Sequence, residues 1–199
     1  MSIYKELPAP QDMVHRYTDI PLPPYRYVPR LHRHPLSVDG YLSQRKPVYT
    51  CFGEQFCYGV DLHNHLYFWE AHEVWEGLWK DVALDGETKN MALSRFLQAC
   101  IVLSGCHFTA HLGRIQIAQE MLCKVQHWLE EEHVATQRVT MDDSTSLVVD
   151  VSTLQGDMQR FAHALASLPV YSSPSGTTIA NIESIRVQIH MISAKITGA

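Results

Sequence analysis

From about Asp61 onward, apolar side chains recur every three to four residues, the period of an amphipathic helix. The pattern predicts a first helix over roughly 61–84, stopped near Gly86, and a second over roughly 89–112 with Gly113 as its C-cap. A third, over roughly 114–133, places Ile117, Ala118, Met121, Leu122, Val125, Trp128 and Leu129 on one stripe and ends in Glu130-Glu131-Glu132. A polar turn at Met141-Asp142-Asp143-Ser144 precedes a short apolar run. A fourth helix follows, N-capped by Asp150 or Ser152 and running to about Ser167. After Pro169 the chain is rich in turn residues, and Ile185 to Ile189 alternates like one short strand.

The stretch before these helices has a different grammar. Pro8, Pro10, Pro21, Pro23, Pro24, Pro29, Pro35 and Pro47 each fix their own φ and turn their predecessor away from helix. Tyr17, Tyr25, Tyr27, Val28, Leu31, Leu36 and Tyr41 supply apolar surface that a free tail would lack. Residues 1–50 therefore read as an extended arm packed on a helical domain at 51–168, with a tail at 169–199. The expected fold class is all-α: an irregular array of about four helices, the long arm, and a short strand-like tail.

Candidate chemistry sits on the first helix. On a wheel of about 100° per residue, Tyr67, Phe68, Ala71, Val74, Trp75 and Leu78 form the apolar arc, while Glu70, Gly77 and Asp81 face water. His65, Trp69, His72 and Glu76 fall at the border, with Glu73 on the wet side. Half-buried ionisable groups there have shifted pKa values and strengthened hydrogen bonds. His72 and Glu76 are one turn apart and can reach the same atom. On the next helix His107 and His111 repeat that spacing, and an antiparallel hairpin would bring them toward His65, His72 and Glu76.

Composition narrows the classes of function. The 199 residues are 46% hydrophobic and 19% charged with a net charge of −5, so neither a nucleic-acid groove nor an anionic membrane surface is the expected partner. Phe96 to Gly113 has no formal charge, yet its polar residues suit a soluble bundle better than a bilayer. Met1 to Asp12 has no signal-peptide core, and five cysteines without a Cys-x-x-Cys pair fit a reducing, cytoplasmic setting. Homo-oligomerisation is left open. There is no phosphate loop, no Gly-x-Ser-x-Gly elbow and no zinc-ribbon spacing.

Trp69-Glu-Ala-His-Glu-Val-Trp-Glu-Gly-Leu-Trp79, Phe96-Leu97-Gln98 and His111-Leu-Gly113 together resemble the bacterial family called domain of unknown function (DUF) 309. Leu22-Pro-Pro-Tyr-Arg-Tyr-Val-Pro29 and His34-Pro35 are similar to the arm of its extended members, so the resemblance spans roughly residues 20–135. It implies a compact all-α fold and no assigned activity. The chain departs from the family pattern at Arg30, where glycine is common, and at Ala99-Cys100, where Gly-Leu is more usual.

Two readings of the His/Glu cluster follow. The first is structural: His72, Glu76 and His111, pinned by Trp69 and Trp79, form a polar network that fixes how the first two helices dock. The alternative is a metal-dependent or acid/base hydrolase. Here His72, Glu76 and His111 hold zinc, manganese or iron, His65 and His107 stand in reserve, and Glu73 with Glu76 acts as catalytic carboxylate. His72-Glu73-Val74-Trp75-Glu76 lacks the second histidine of a zinc-protease helix, and Glu130-x-x-His133 lies in an acidic run suited to solvent. His32 and His34 with Arg30 and Arg33 read as a solvated basic loop, and His63 has no partner that the sequence identifies.

Overall fold

The protein is described by a computed structural model at residues 14–44, 46–84, 91–130, 138–140, 145–149, 151–167 and 191–196. Among these, six helices follow the arm: α1 (Tyr41–Gln44), α2 (Phe52–Asn64), α3 (Phe68–Leu84), α4 (Met91–His111), α5 (Ile115–Glu130) and α6 (Val151–Ala166). Strands β1 (Arg138–Thr140), β2 (Thr145–Val149) and β3 (Met191–Ile196) form an antiparallel sheet in the order β1-β2-β3. The body is thus helical with more helices than the four expected, and a small sheet accompanies it. The strand expected at 185–189 lies outside the described residues, and the tail strand is at 191–196.

The largest difference from the pattern is at the start of the body. α2 begins where Cys51 Sγ accepts from the Glu54 amide, while Glu54 Oε2 accepts from Thr50 N (2.6 Å) and Thr50 Oγ1 (2.9 Å), a variant of the capping box. Gly53 and every residue from Phe56 to Asn64 are buried. A helix enclosed on all sides shows no polar face, so its period is invisible in the sequence. The single helix expected over 61–84 is in fact two. Leu66 adopts φ 70°, its amide donates to His63 O, and Tyr67 N donates to Leu62 O (2.8 Å), a Schellman stop before α3 begins. At the end of α4 the same stop occurs with the expected Gly113: φ is 76°, Gly113 N donates to Ala110 O, and Arg114 N to Thr109 O.

α3 and α4 run antiparallel, as shown by Trp79 Nε1 donating to Ser94 Oγ near one end and His72 bonding Ile101 O toward the other. α2 lies against α3, α5 against α4, and α6 against α5. Trp75 is wholly buried and donates to Phe56 O; Gly59 leaves the space its indole fills. On α5 the buried stripe is Ile115, Ala118, Leu122, Val125 and Leu129. Ile117, expected on it, is 48% exposed, and Trp128 is half-buried beneath Arg95 and Lys124. α6 contributes Leu154, Met158, Phe161 and Leu165 to the main core.

The arm packs along α2 and α3, irregular except for the single turn of α1. Tyr58 Oη and Tyr67 Oη donate to the carbonyls of Pro21 and Pro23, tying the arm to the body. A second, smaller core joins arm to body: Val28, Leu66 and Phe68, with Leu31, Phe108 and Leu112 against them. Arg30 has φ 67° in the turn where His32 N returns to Val28 O. In the basic loop Arg33 pairs with Asp39, and the His32 ring stacks on Tyr25.

Candidate functional site

Two buried carboxylates carry the arm. Asp61 is fully buried on α2 and accepts from Tyr17 N (2.7 Å), Thr18 N (2.9 Å) and Thr18 Oγ1 (2.7 Å), with Arg16 Nε 3.2 Å away as its countercharge. Glu70, expected to face water, is instead 3% exposed because the arm lies over that side of α3. Its Oε1 accepts from Tyr27 N and Tyr41 Oη, each at 2.9 Å, whereas Oε2 is buried with no hydrogen-bond partner. Desolvation pushes this carboxyl up to about 7, opposed by those donors and by the charge of Arg26. The wheel treated the helix as if its outer face met solvent; an arm of aromatic residues was the one signal that it does not.

Among the described residues four histidines are buried: His63, His65, His107 and His111. His63 Nδ1 lies 2.8 Å from Ser104 Oγ, the partner that sequence alone did not identify. His65 caps α2 instead of sitting on α3, with Nδ1 donating to Asp61 O (2.7 Å). His107 donates through Nδ1 to Leu103 O and stacks between Phe68 and Phe161, its Nε2 buried without a hydrogen-bond partner. Burial drives its pKa down to about 4, so the ring is neutral at ordinary pH.

The metal-ligating side chains that converge among the described residues are His72, Glu73 and Glu76 on α3, whose ligand atoms all lie within 4.8 Å of one another. All three are half-buried. His72 and Glu76 meet as the one-turn spacing requires, and Glu73 joins them. His111, His65 and His107 are not members of the group, so the expected ligand set is brought together only in part. His72 Nδ1 is 3.2 Å from Ile101 O; a carbonyl only accepts, so Nδ1 carries the proton and Nε2 keeps the lone pair. Gly105 on α4 leaves room beside that ring and beside the Met121 methyl. Glu76 Oε2 is paired with Lys80 Nζ at 2.9 Å. Trp79 bonds Ser94, and Trp69 packs on Tyr27 and His34 of the arm. Glu130 is exposed, and His133 lies outside the described residues.

No described helix is long and apolar enough to cross a membrane. Neither a curated protein nor a solved structure matches the chain. Residues 56–121, running from α2 through α3 and α4 into α5, match the family described as Domain of unknown function (DUF309), and the resemblance carried by the His72-Glu73-x-x-Glu76 helix is to that family.

Proposed function

We propose that the protein binds one divalent cation at His72, Glu73 and Glu76, on an α3 surface held rigid by the buried polar network around it. The observation that carries this reading is the His72 tautomer: a backbone carbonyl fixes Nδ1–H, the usual orienting contact of a metal-ligating histidine, and leaves Nε2 as the donor atom. One imidazole and two carboxylates suit zinc, manganese or iron, and a set of three leaves positions for water, so metal-assisted hydrolysis is the reaction class such a centre supports. His111, His107, His65 and His63 are assigned to the structural network. In this reading the arm at 1–50 is a part of the helical domain at 51–168, followed by the tail at 169–199. Free cysteines, with Cys57, Cys100 and Cys106 buried, support a cytoplasmic setting.

Calorimetric titration of the metal-free chain with zinc, manganese and iron(II) tests the reading. One equivalent is expected in the parent and in His111→Asn, and none in His72→Ala or Glu76→Gln, with helicity by circular dichroism unchanged. Substoichiometric binding in the parent, or equal binding in His72→Ala, overturns it.

A further inference from the structure

His72 on α3 and Met121 on α5 meet across a glycine of α4. A Cβ at Gly105 would stand 2.9 Å from the Met121 methyl and 3.9 Å from His72 Nδ1. The nearer neighbour is the end of a flexible side chain that can move aside, and the farther one is at ordinary contact distance, so packing does not demand glycine here. Glycine inside a helix is destabilising relative to alanine and suits a place where another group approaches the backbone closely. Gly105 is half-buried, as are Ser94, Arg95, Gln98 and Val102, which recur every three to four residues along one side of α4. This stripe is a seam flanked by α3 and α5: Ser94 meets Trp79, Arg95 meets Trp128, and Gly105 lies between His72 and Met121. Charge along the seam is uneven. Glu73 and Glu76 would balance one divalent ion, and Lys80 is engaged by Glu76. Arg95 and Lys124 stand over the Trp128 ring, and Arg95 lies about 15 Å along α4 from Gly105.

We propose that Gly105 and Met121 are the specificity-determining wall of the centre at His72, Glu73 and Glu76, and that its substrate is an uncharged acyl compound, an ester or amide, whose apolar substituent lies over Gly105. The inference rests on the metal reading and adds the substrate class to it. A divalent ion balanced by two carboxylates presents no excess positive charge to hold a phosphate, whereas a carbonyl oxygen needs only polarising. Beside it the bare backbone of Gly105 gives room, and the Met121 thioether is an adaptable apolar surface. Hydrolysis then breaks the acyl C–O or C–N bond: the oxygen of one water bonds the acyl carbon, one of its protons passes to the leaving oxygen or nitrogen, and the other remains with the acid.

Two hydroxamic acids that chelate zinc through the same head group test this by calorimetry on the zinc-loaded full chain: acetohydroxamic acid, which carries a methyl, and benzohydroxamic acid, which carries a phenyl. The parent is expected to bind the phenyl compound about tenfold more tightly than the methyl one, and both more tightly than inorganic phosphate. Gly105→Ala is a favourable exchange for a helix, so the variant should fold, and its methyl occupies the place of the substituent. It is expected to bring the preference to within about twofold while leaving zinc stoichiometry and the affinity for acetohydroxamic acid unchanged. Met121→Gln, polar at nearly the same length, is expected to lower the preference as well. A chain that takes up no zinc overturns this inference together with the metal reading. Zinc uptake with equal affinity for the two acids, a preference that survives either substitution, or phosphate bound more tightly than acetohydroxamic acid overturns this inference alone.

Discussion

Among the described residues, three take the left-handed backbone conformation: Gly113 at φ 76°, Arg30 at φ 67° and Leu66 at φ 70°. They set up a comparison in which one backbone cost recurs in three side-chain contexts. An L-residue in this region carries about 1–2 kcal/mol of strain, and glycine gives back about 0.4–1 kcal/mol through the greater freedom of its unfolded chain. At Gly113 a Cβ meets nothing within 4 Å, so Gly113→Ala exposes the backbone term alone and should cost about 0.5–1 kcal/mol. Arg30 is exposed, so Arg30→Gly should reverse the sign and stabilise by about 0.5–1 kcal/mol. At Leu66 the side chain is 5% exposed in the second core, and the loss of a buried leucine, about 2–5 kcal/mol, outweighs the relieved strain. Leu66→Gly should therefore destabilise by about 2–4 kcal/mol.

Urea unfolding at fixed pH measures all three, with Arg30→Ala as the control that removes the guanidinium and keeps the strain. Arg30→Gly is expected to be more stable than both the parent and Arg30→Ala. If Arg30→Gly and Arg30→Ala have the same midpoint, the strain at this turn is not stored in φ.

Other expectations follow from the buried groups. Because Glu70 binds its proton more tightly folded than unfolded, stability is full below pH 4.5 and falls as pH rises to about 7, by roughly 3 kcal/mol in all; the difference between Glu70→Gln and parent should grow by about 2.5 kcal/mol of that from pH 5 to pH 8. A flat difference across that range would show the carboxyl to be solvated. His107 has the opposite slope: its folded pKa is depressed, so stability is full above pH 6.5 and falls by about 3 kcal/mol as pH drops toward 4, a loss that His107→Phe should remove in urea titrations. Gly59→Ala drives a methyl into the Trp75 indole and should cost at least about 1–3 kcal/mol, seen as a lowered urea midpoint with altered near-UV dichroism. Lys80→Met frees Glu76 from an exposed ion pair worth about 0.2–1 kcal/mol, so zinc affinity should rise up to about fivefold if Glu76 is a ligand.

What the chain displays and what it conceals divide along one physical line, whether an element has a wet face. α5 and α6 do, and their limits follow closely from period and caps, as does most of the α5 stripe, with Ile117 exposed and Met121 and Trp128 half-buried. α2 has none, so no alternation marks it, and its capping turn at Thr50-Cys51 was the available clue. The two Schellman stops make the same point: Gly113 announces its turn because glycine is cheap there, while Leu66 performs the same turn silently, held by the second core. That silent break is what displaced the site. It moves His65 off α3 and into the cap of α2, and the arm reverses the exposure assigned to Glu70. His72 and Glu76 lie together because a one-turn spacing within a single helix depends on nothing outside it, whereas bringing His111 to them needs the register between two helices and the course of the arm as well. Local geometry can be derived from local sequence; the convergence of distant residues cannot, because burial by a segment forty residues away decides which side of a helix is wet.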